Sequence, residues 1–353
     1  MLHRGNRVAC YTTGRKNFVT ENEMTSWSKF WCATAVVLSA ILPAQAQDYP
    51  NKPVTFITPA AAGNSPDVVG RIVADRLSQM WKQQVVILNR PGAGGLIAAQ
   101  AAAAANIEKD GYTLYMSQAS TFNVLPIQQE GKMPFDLNKT FASIGMIGEQ
   151  PIAVAVNKDV AANNVAELIA LANKSPDGML FGATNRGGQA HLTGELFRDR
   201  SKAKISFVHA AGAAATLNDV IAGRIPIVFE GLAGLQPGLQ NNAIKLLGVA
   251  AEKRLPNLPN LPAINETVPG VVSSGWIVMM APMGVPEAVI NKVNADMRKI
   301  LAMPEVIERF HALGTYSRDY TPAQTGEFIQ SEQKLWWPIV RQVNQEQTPA
   351  PAR

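Results

Sequence analysis

VTFITPAAAGNSPDVVGRIVADRLSQMWKQQVVIL, residues 54–88, decides the fold. Val54–Thr58 is apolar and β-branched and reads as a strand. Ser65-Pro66 then starts a helix, with Ser65 as N-cap and proline at the first helical position. Val69, Ile72, Val73, Leu77 and Met80 fall on one face of that helix. Val85–Leu88 is the next strand. A glycine turn at Pro91–Gly95 leads into an alanine-rich helix near Ala98–Ala105, and Asp110-Gly111 turns the chain into a strand at Tyr112–Met116. Strand, helix, strand, helix, strand implies a doubly wound α/β sheet.

The alternation continues along the chain. Strands are expected at Ile152–Val156, Leu180–Ala183, Ile205–Val208, Ile227–Phe229, Leu246–Ala250 and Trp276–Met280. Helices are expected at Val165–Asn173, Ala190–Asp199, Ala213–Ile221, Pro286–Leu301, Pro304–Leu313 and Pro322–Trp337. Leu255–Pro262 (LPNLPNLP) has proline every third residue, which suits an extended surface loop.

The first segment reads as an address. Phe30–Leu42 (FWCATAVVLSAIL) is apolar, follows Lys29, and ends at Pro43 and the small-x-small triplet Ala44-Gln45-Ala46. It is too short for a bilayer span, which takes roughly 20 residues. Residues 1–46 are therefore expected to be a leader, with translation starting at Met24 and export to the periplasm. Removing Arg4, Arg7, Arg15, Lys16, Lys29, Glu21 and Glu23 cuts most of the formal +5 charge of the 353-residue chain. A near-neutral balance without a basic cluster argues against a nucleic-acid partner. Cys10 and Cys32 leave with the leader, which excludes a disulfide, a Cys-ligated metal and a Cys nucleophile from the rest. With 47 % hydrophobic and 17 % charged residues, the chain has ample material for a core.

Catalytic patterns fail on inspection. Gly63-Asn64-Ser65-Pro66-Asp67 lacks the last glycine of a nucleophile elbow. Ile97 stands where a dinucleotide fingerprint needs its third glycine. His191 and Glu195, four apart, read as a helix-start hydrogen bond rather than a metal pair. Asp67 reads as a carboxylate complementing a helix start. Trp336-Trp337 reads as core at a helix end, and Trp276 is either packing or cleft wall. No acid, base and nucleophile set emerges, so the chain is not expected to be an enzyme, and no cofactor or metal is expected.

Three strand-to-helix turns are instead small and glycine-containing: Pro59–Pro66 (PAAAGNSP), Thr184–Gln189 (TNRGGQ) and His209–Ala213 (HAAGA). In an open α/β sheet, ligands bind beyond the carboxyl ends of strands, beside helix starts. Those starts carry free N–H groups and about half a positive charge. Each favours an anion by about 0.3–1 kcal/mol, and up to about 2 when partly buried. Two or three of them with direct hydrogen bonds approach the roughly 8 kcal/mol of micromolar binding. The expected ligand is a small anion, most simply a carboxylate.

Several spaced motifs carry a family resemblance. They are YPNKPVTFITP at Tyr49–Pro59, Gly63 with Asp67-x-x-x-Arg71, LNRPGAGG at Leu88–Gly95 and DGYTLYM at Asp110–Met116. Gly187-x-x-x-His191-Leu192, Leu217-Asn218-Asp219, APMGVP at Ala281–Pro286 and the Glu332–Trp336 pair complete the set. In this order they resemble the extracytoplasmic solute receptors of tripartite tricarboxylate transporters, the Bug-type binding proteins. The resemblance implies an α/β, two-lobed periplasmic-binding-protein-like clamshell (type II), each lobe a β-sheet flanked by helices. Lobe 1 would comprise 47–148 and 276–353, and lobe 2 would comprise 149–275. It implies a monomer that captures a di- or tricarboxylate or an aromatic carboxylate and delivers it to membrane permease subunits. A receptor signalling through a sensor protein, or a secreted enzyme using the same cleft, are the alternatives.

Carried over by position, the resemblance puts Ala60, Ala61, Gly63 and Asn64 on one side of the ligand. It puts Thr184, Asn185, Arg186, Gly187 and Gly188 on the other, with Ala210, Ala211, Gly212 and Glu230 nearby. The family usually has Phe-Pro-Pro-Gly-Gly at Ala60–Asn64, Ser and Gly at Ala183 and Asn185, Pro-Tyr-Lys-Gly at His209–Gly212, and Asp at Glu230. Losing Phe, Tyr and Lys enlarges the cleft and deletes a cation, which points to a longer or aromatic carboxylate. Arg186 either replaces that cation as a carboxylate partner or points to solvent. Arg186→Ala separates the two: a loss of about 1.5–3 kcal/mol of affinity assigns it to the ligand, and an unchanged dissociation constant assigns it to solvent.

Overall fold

β1 (Val54–Thr58) lies between β2 (Val85–Asn89) and β3 (Thr113–Gln118) and runs parallel to both. The computed structural model describes residues 49–105, 108–183, 187–209 and 213–345. The expected leader, Thr184–Arg186 and Ala210–Gly212 lie outside these residues. α1 (Ser65–Trp81) and α2 (Leu96–Ala104) make the first two crossovers. Asn64, not Ser65, is the N-cap of α1: its backbone is extended and its side chain accepts the Asp67 N–H at 3.1 Å. Ser65 and Pro66 occupy the first turn, where the missing proline N–H costs nothing.

The long strand β4 (Phe141–Asn157) joins the two halves of the molecule. From Phe141 to Pro151 it pairs antiparallel with β9 (Ser274–Pro282). From Ile152 onward it pairs antiparallel with β7 (Ile227–Gly231) and, from Ala153, with β8 (Ile244–Val249). β5 (Met179–Ala183) is parallel to β6 (Ile205–His209) and to β7. The sheet order is β2-β1-β3-β9-β4-β7-β5-β6, with β8 paired to β4 off this path. The sheet is thus mixed: the parallel runs lie at its two ends, and the antiparallel strands β4 and β9 carry the chain between them.

Only the second half of β4 was legible from the residue pattern. The first half, FASIGMIGEQ, contains Gly145 and Gly148 at register shifts against β9. A Cβ at Gly145 would stand 2.8 Å from Asn294 Nδ2, and one at Gly148 would stand 2.6 Å from Thr315 Cγ2. The glycines that obscure the strand pattern are the places where neighbouring side chains press on it.

The remaining helices are α3 (Ala119–Asn123), α4 (Leu125–Gln128), α5 (Leu137–Thr140), α6 (Val165–Lys174), α7 (Gln189–Ser201) and α8 (Ala213–Ile221). α9 (Leu232–Gln240), α10 (Glu287–Leu301), α11 (Pro304–Ala312) and α12 (Pro322–Gln345) follow. α12 was expected to end at Trp337, but it continues through Pro338. An interior proline costs roughly 3 kcal/mol. Beyond it, Val340 and Val343 are buried with Trp336 against Val124 and Ile127, and against Leu192 and Leu196 of α7. Each such side chain contributes about 1.5–3 kcal/mol on burial, which offsets the break. Separate cores lie on either side of the crossing: Tyr115, Phe122, Phe141 and Trp276 in one, and Phe181, Phe197, Phe229 and Ile264 in the other.

Asp67 fixes the turn between β1 and α1. It is 1 % exposed and accepts from the Gly63 N–H (2.8 Å), Arg71 Nε and Nη2 (both 3.0 Å) and Asn89 Nδ2 (2.8 Å). Burial alone would raise its pKa, but these hydrogen bonds and the Arg71 charge hold it below the usual carboxylate range. A folded pKa below the unfolded one gives a contribution that is complete above about pH 4 and fades as pH falls through the folded value. Asp67→Asn should therefore lose about 1.5–3 kcal/mol of stability at pH 7 and show a flatter acid limb in melting temperature against pH. An unchanged melting temperature at pH 7 would contradict this account.

Candidate functional site

Where β4 changes partners, a cavity of about 290 Å³ opens between the two halves. Pro66 of α1 and Gln118, Ala119 and Ser120 at the end of β3 line it from one side. Gly188, Gln189 and Ala190 at the start of α7, with Glu230 at the end of β7, line it from the other. Gln150, Ile152, Gly275, Trp276 and Ile277 of the crossing strands complete the wall. Helix starts from both halves therefore border one space, as expected for strand ends in an α/β sheet.

The start of α7 is built for close approach. Its N-cap is Gly188, which offers no side-chain cap. One residue earlier, the buried Gly187 has φ +74°, a conformation that favours glycine. Its N–H donates to His191 Nδ1 at 2.8 Å. His191 is thus the acceptor of a helix-start hydrogen bond, with Nε2 3.4 Å from Glu195 Oε1 and the ring beside Phe181 and Phe207. Because Nδ1 accepts, the ring proton sits on Nε2, facing Glu195. Among the described residues no group of His, Cys, Asp and Glu could hold a metal ion.

The α1 turn is held by hydrogen bonds of its own. Ala60 is buried, and its N–H faces Thr58 Oγ1 at 3.2 Å while its carbonyl accepts from Asn89 Nδ2 at 2.9 Å. The Gly63 N–H is engaged by Asp67, and the Asn64 side chain caps α1. Ala60, Ala61, Gly63 and Asn64 are not among the residues lining the cavity; Pro66 is. Ser65 reaches the crossing through Gln150, whose Nε2 donates to Ser65 Oγ and, at 2.9 Å, to Thr315 Oγ1. Of the expected site residues, Gly188 and Glu230 line the cavity, and Gly187 immediately precedes Gly188 in the chain. Thr184, Asn185, Arg186, Ala210, Ala211 and Gly212 lie outside the described residues.

Glu230 is the charged member of the described lining. Burial pushes its carboxyl pKa up, opposed by the Gly231 N–H, which donates to Oε1 at 2.9 Å. A Cβ at Gly234 of α9 would stand 2.9 Å from Glu230 Cγ, so that glycine makes room for the glutamate stem. Gln118, Ser120, Gln150 and Gln189 supply the other polar side chains, and sequence reasoning missed all four. Only Gln189 carried a local signal, since it directly follows the glycine pair. Trp276 is 1 % exposed: its ring packs between Phe122 and Phe328, and its indole N–H donates to Glu332 Oε2 at 2.8 Å. Trp336 Nε1 and Asn123 Nδ2 reach the same oxygen. Trp276 is thus core packing that also lines the cavity.

Larger hollows of about 430 and 450 Å³ flank Glu149. Glu149 precedes Gln150 on β4 and so faces the opposite side of the strand. There it is paired with Arg318 and accepts from Ser274 Oγ at 3.1 Å. These hollows are lined by an ion pair already closed on itself, so the smaller cavity is the better candidate.

His191→Phe keeps the ring but leaves the Gly187 N–H without its acceptor. It should destabilise the fold by about 1–3 kcal/mol, read as a lower midpoint in denaturant at constant slope. A midpoint equal to that of the parent protein would show that the hydrogen bond does not hold this turn.

The model of the "Tripartite tricarboxylate transporter family receptor" matches residues 69–345. A UPF0065 protein of Bordetella bronchiseptica is 31 % identical over 310 residues, covering 88 % of this chain and 91 % of that protein. Protein BugT of Bordetella pertussis is 30 % identical, covering 85 % and 92 %. Among solved structures, R. palustris Rpa4515 with adipate is 27 % identical with a TM-score of 0.70, covering 84 % of this chain and 98 % of that chain. The periplasmic binding protein BugD is 25 % identical with a TM-score of 0.66, covering 84 % and 99 %. The chain belongs to the tripartite tricarboxylate transporter receptor family, whose members are solute-binding receptors rather than enzymes, and it has their two-lobed α/β fold.

Proposed function

We propose that the protein works in the periplasm, captures a small carboxylate between its lobes, and delivers it to membrane permease subunits. We take lobe 1 as 47–148 with 276–353 and lobe 2 as 149–275. The observation that carries the reading is the shared cavity: Pro66 from α1 and the uncapped Gly188–Ala190 start of α7 border one space of about 290 Å³. A carboxylate there meets N–H groups and the positive end of the α7 dipole, and no cation is among the described lining residues. The bound adipate of Rpa4515 supports a carboxylate as the solute class. The turns 184–188 and 210–212, with Glu230, are the proposed walls on the lobe 2 side.

A panel of aliphatic and aromatic carboxylates, screened by melting shift, tests this. A true ligand at a hundredfold excess over its dissociation constant should stabilise the protein by about 2.7 kcal/mol. The same ligand should be recovered unchanged after prolonged incubation. Failure of every carboxylate to raise the melting temperature would overturn the proposal, as would turnover.

A further inference from the structure

Residues 314–318, between α11 and α12, bind to both halves of the molecule. On the side of β9 they are tied down at each end. The Thr315 N–H donates to the Phe310 carbonyl of α11 at 2.8 Å. Beyond them, Asn294 Nδ2 of α10 donates to the Tyr320 carbonyl at 2.9 Å. The same stretch reaches the half that carries β7 and β8. A Cβ at Gly314 would stand 3.3 Å from Leu232 Cβ, at the start of α9. The Tyr316 hydroxyl donates to Asn257 Oδ1 at 2.6 Å, in the loop after β8. The Tyr316 ring packs on the core that holds Leu232, Leu235, Val249 and Leu255. Arg318 Nη1 lies 3.8 Å from Glu252 Oε2 of the same loop. A hollow of about 430 Å³ separates the halves here, lined by Lys253 and Pro256 on one side and Ile307 and His311 on the other. Where the halves are not packed solid, these few contacts set their spacing.

The stretch also touches the frame of the cavity from outside. Tyr316 and Glu149 exchange both backbone hydrogen bonds at 2.8 Å, next to the point where β4 changes partners. Thr315 Oγ1 accepts at 2.9 Å from Nε2 of Gln150, a lining residue. Leu232, which Gly314 approaches, is two residues beyond Glu230. We propose that residues 314–318 form a strap that fixes the spacing of the two halves, with Tyr316 as its anchor, and so positions the opposed walls of the cavity. Tyr316 does not line the cavity and is a positioning residue. The apolar packing of α12 on α7 joins the halves as well. The strap differs in resting on exposed polar partners, Asn257 and Glu252, which water replaces at small cost.

Pulsed electron paramagnetic resonance on the full chain tests the strap without any ligand. Nitroxide labels are placed at Asp75→Cys on α1 and Ala170→Cys on α6, both exposed, with Cys10→Ser and Cys32→Ser. The parent should give one narrow distance distribution. Tyr316→Ala removes the ring and the hydroxyl and should add a second population or broaden the first. Asn257→Ala removes only the acceptor, at an exposed site, and should change the population ratio about threefold. Melting curves accompany both, and if Tyr316→Ala does not fold, Asn257→Ala decides alone. Unchanged distributions would overturn the proposal. A second arm rests on the carboxylate reading above and uses an acid found by melting shift. Its dissociation constant should rise about threefold or more in Asn257→Ala, because fewer molecules hold both walls in place. A constant that falls or stays the same would overturn the positioning role. If no acid binds the parent protein, the carboxylate reading fails while the label distances still decide for or against the strap.

Discussion

The structure depends on one strand having two sets of partners. β4 is hydrogen-bonded to β9 up to Pro151 and to β7 and β8 from Ile152. A strand is stiff along its length, so the two ends of the sheet are held at a defined separation where its partners change. The ends of β3 and β7 and the starts of α1 and α7 converge there because each belongs to a crossover opening toward the same place. Gln150 ties this crossing to α1 through Ser65, and Trp276 ties it through Glu332 to Trp336 of α12. Trp336 in turn packs with Leu192 and Leu196 of α7. The cavity is therefore framed by elements that are coupled to one another, not by loops that happen to be close.

The sequence made the alternation of strands and helices readable because the apolar faces are periodic. Val54–Thr58 and Ala213–Ile221 have the expected bounds. It misled where a local rule yielded to packing. Gly145 and Gly148 broke the pattern of β4 because Asn294 and Thr315 occupy the space a side chain would need. Pro338 suggested a helix end, yet the buried Val340 and Val343 carry α12 on. The one-residue error at the α1 cap has a simple source: Asn64 and Ser65 are both good capping residues, and only backbone geometry decides between them. α3, α4 and α5 span four or five residues each, too short for periodicity to reveal.

The site was legible in outline and not in detail. Small, glycine-bearing turns located the helix starts, because a ligand can approach backbone only where side chains are absent. Pattern alone could not tell which N–H groups are consumed inside a turn. The Gly63 N–H goes to Asp67 and the Gly187 N–H to His191, and both acceptors lie four residues on, inside the helices that the turns introduce. Those bonds make the turns rigid. The lining side chains Gln118 and Gln150 come from strands, and sheet register, which a single sequence does not display, brings them together.

Helix starts are not the only polar groups at the cavity: Gln118, Gln150, Gln189 and Glu230 line it too. Helix starts favour any small anion, and a cavity with only those would discriminate by size, where one methylene is worth only about 1–3 kcal/mol. A polar wall side chain held in one orientation also discriminates by hydrogen bonding, because a solute that leaves it unpaired bears the penalty. Gln189 is held by a relay: its Nε2 donates to Ser273 Oγ, Ser273 meets Thr193 Oγ1, and Thr193 donates to the Gln189 carbonyl. The relay joins α7 to the segment just before β9, since Thr193 and Gln189 sit on α7 while Ser273 adjoins the start of β9.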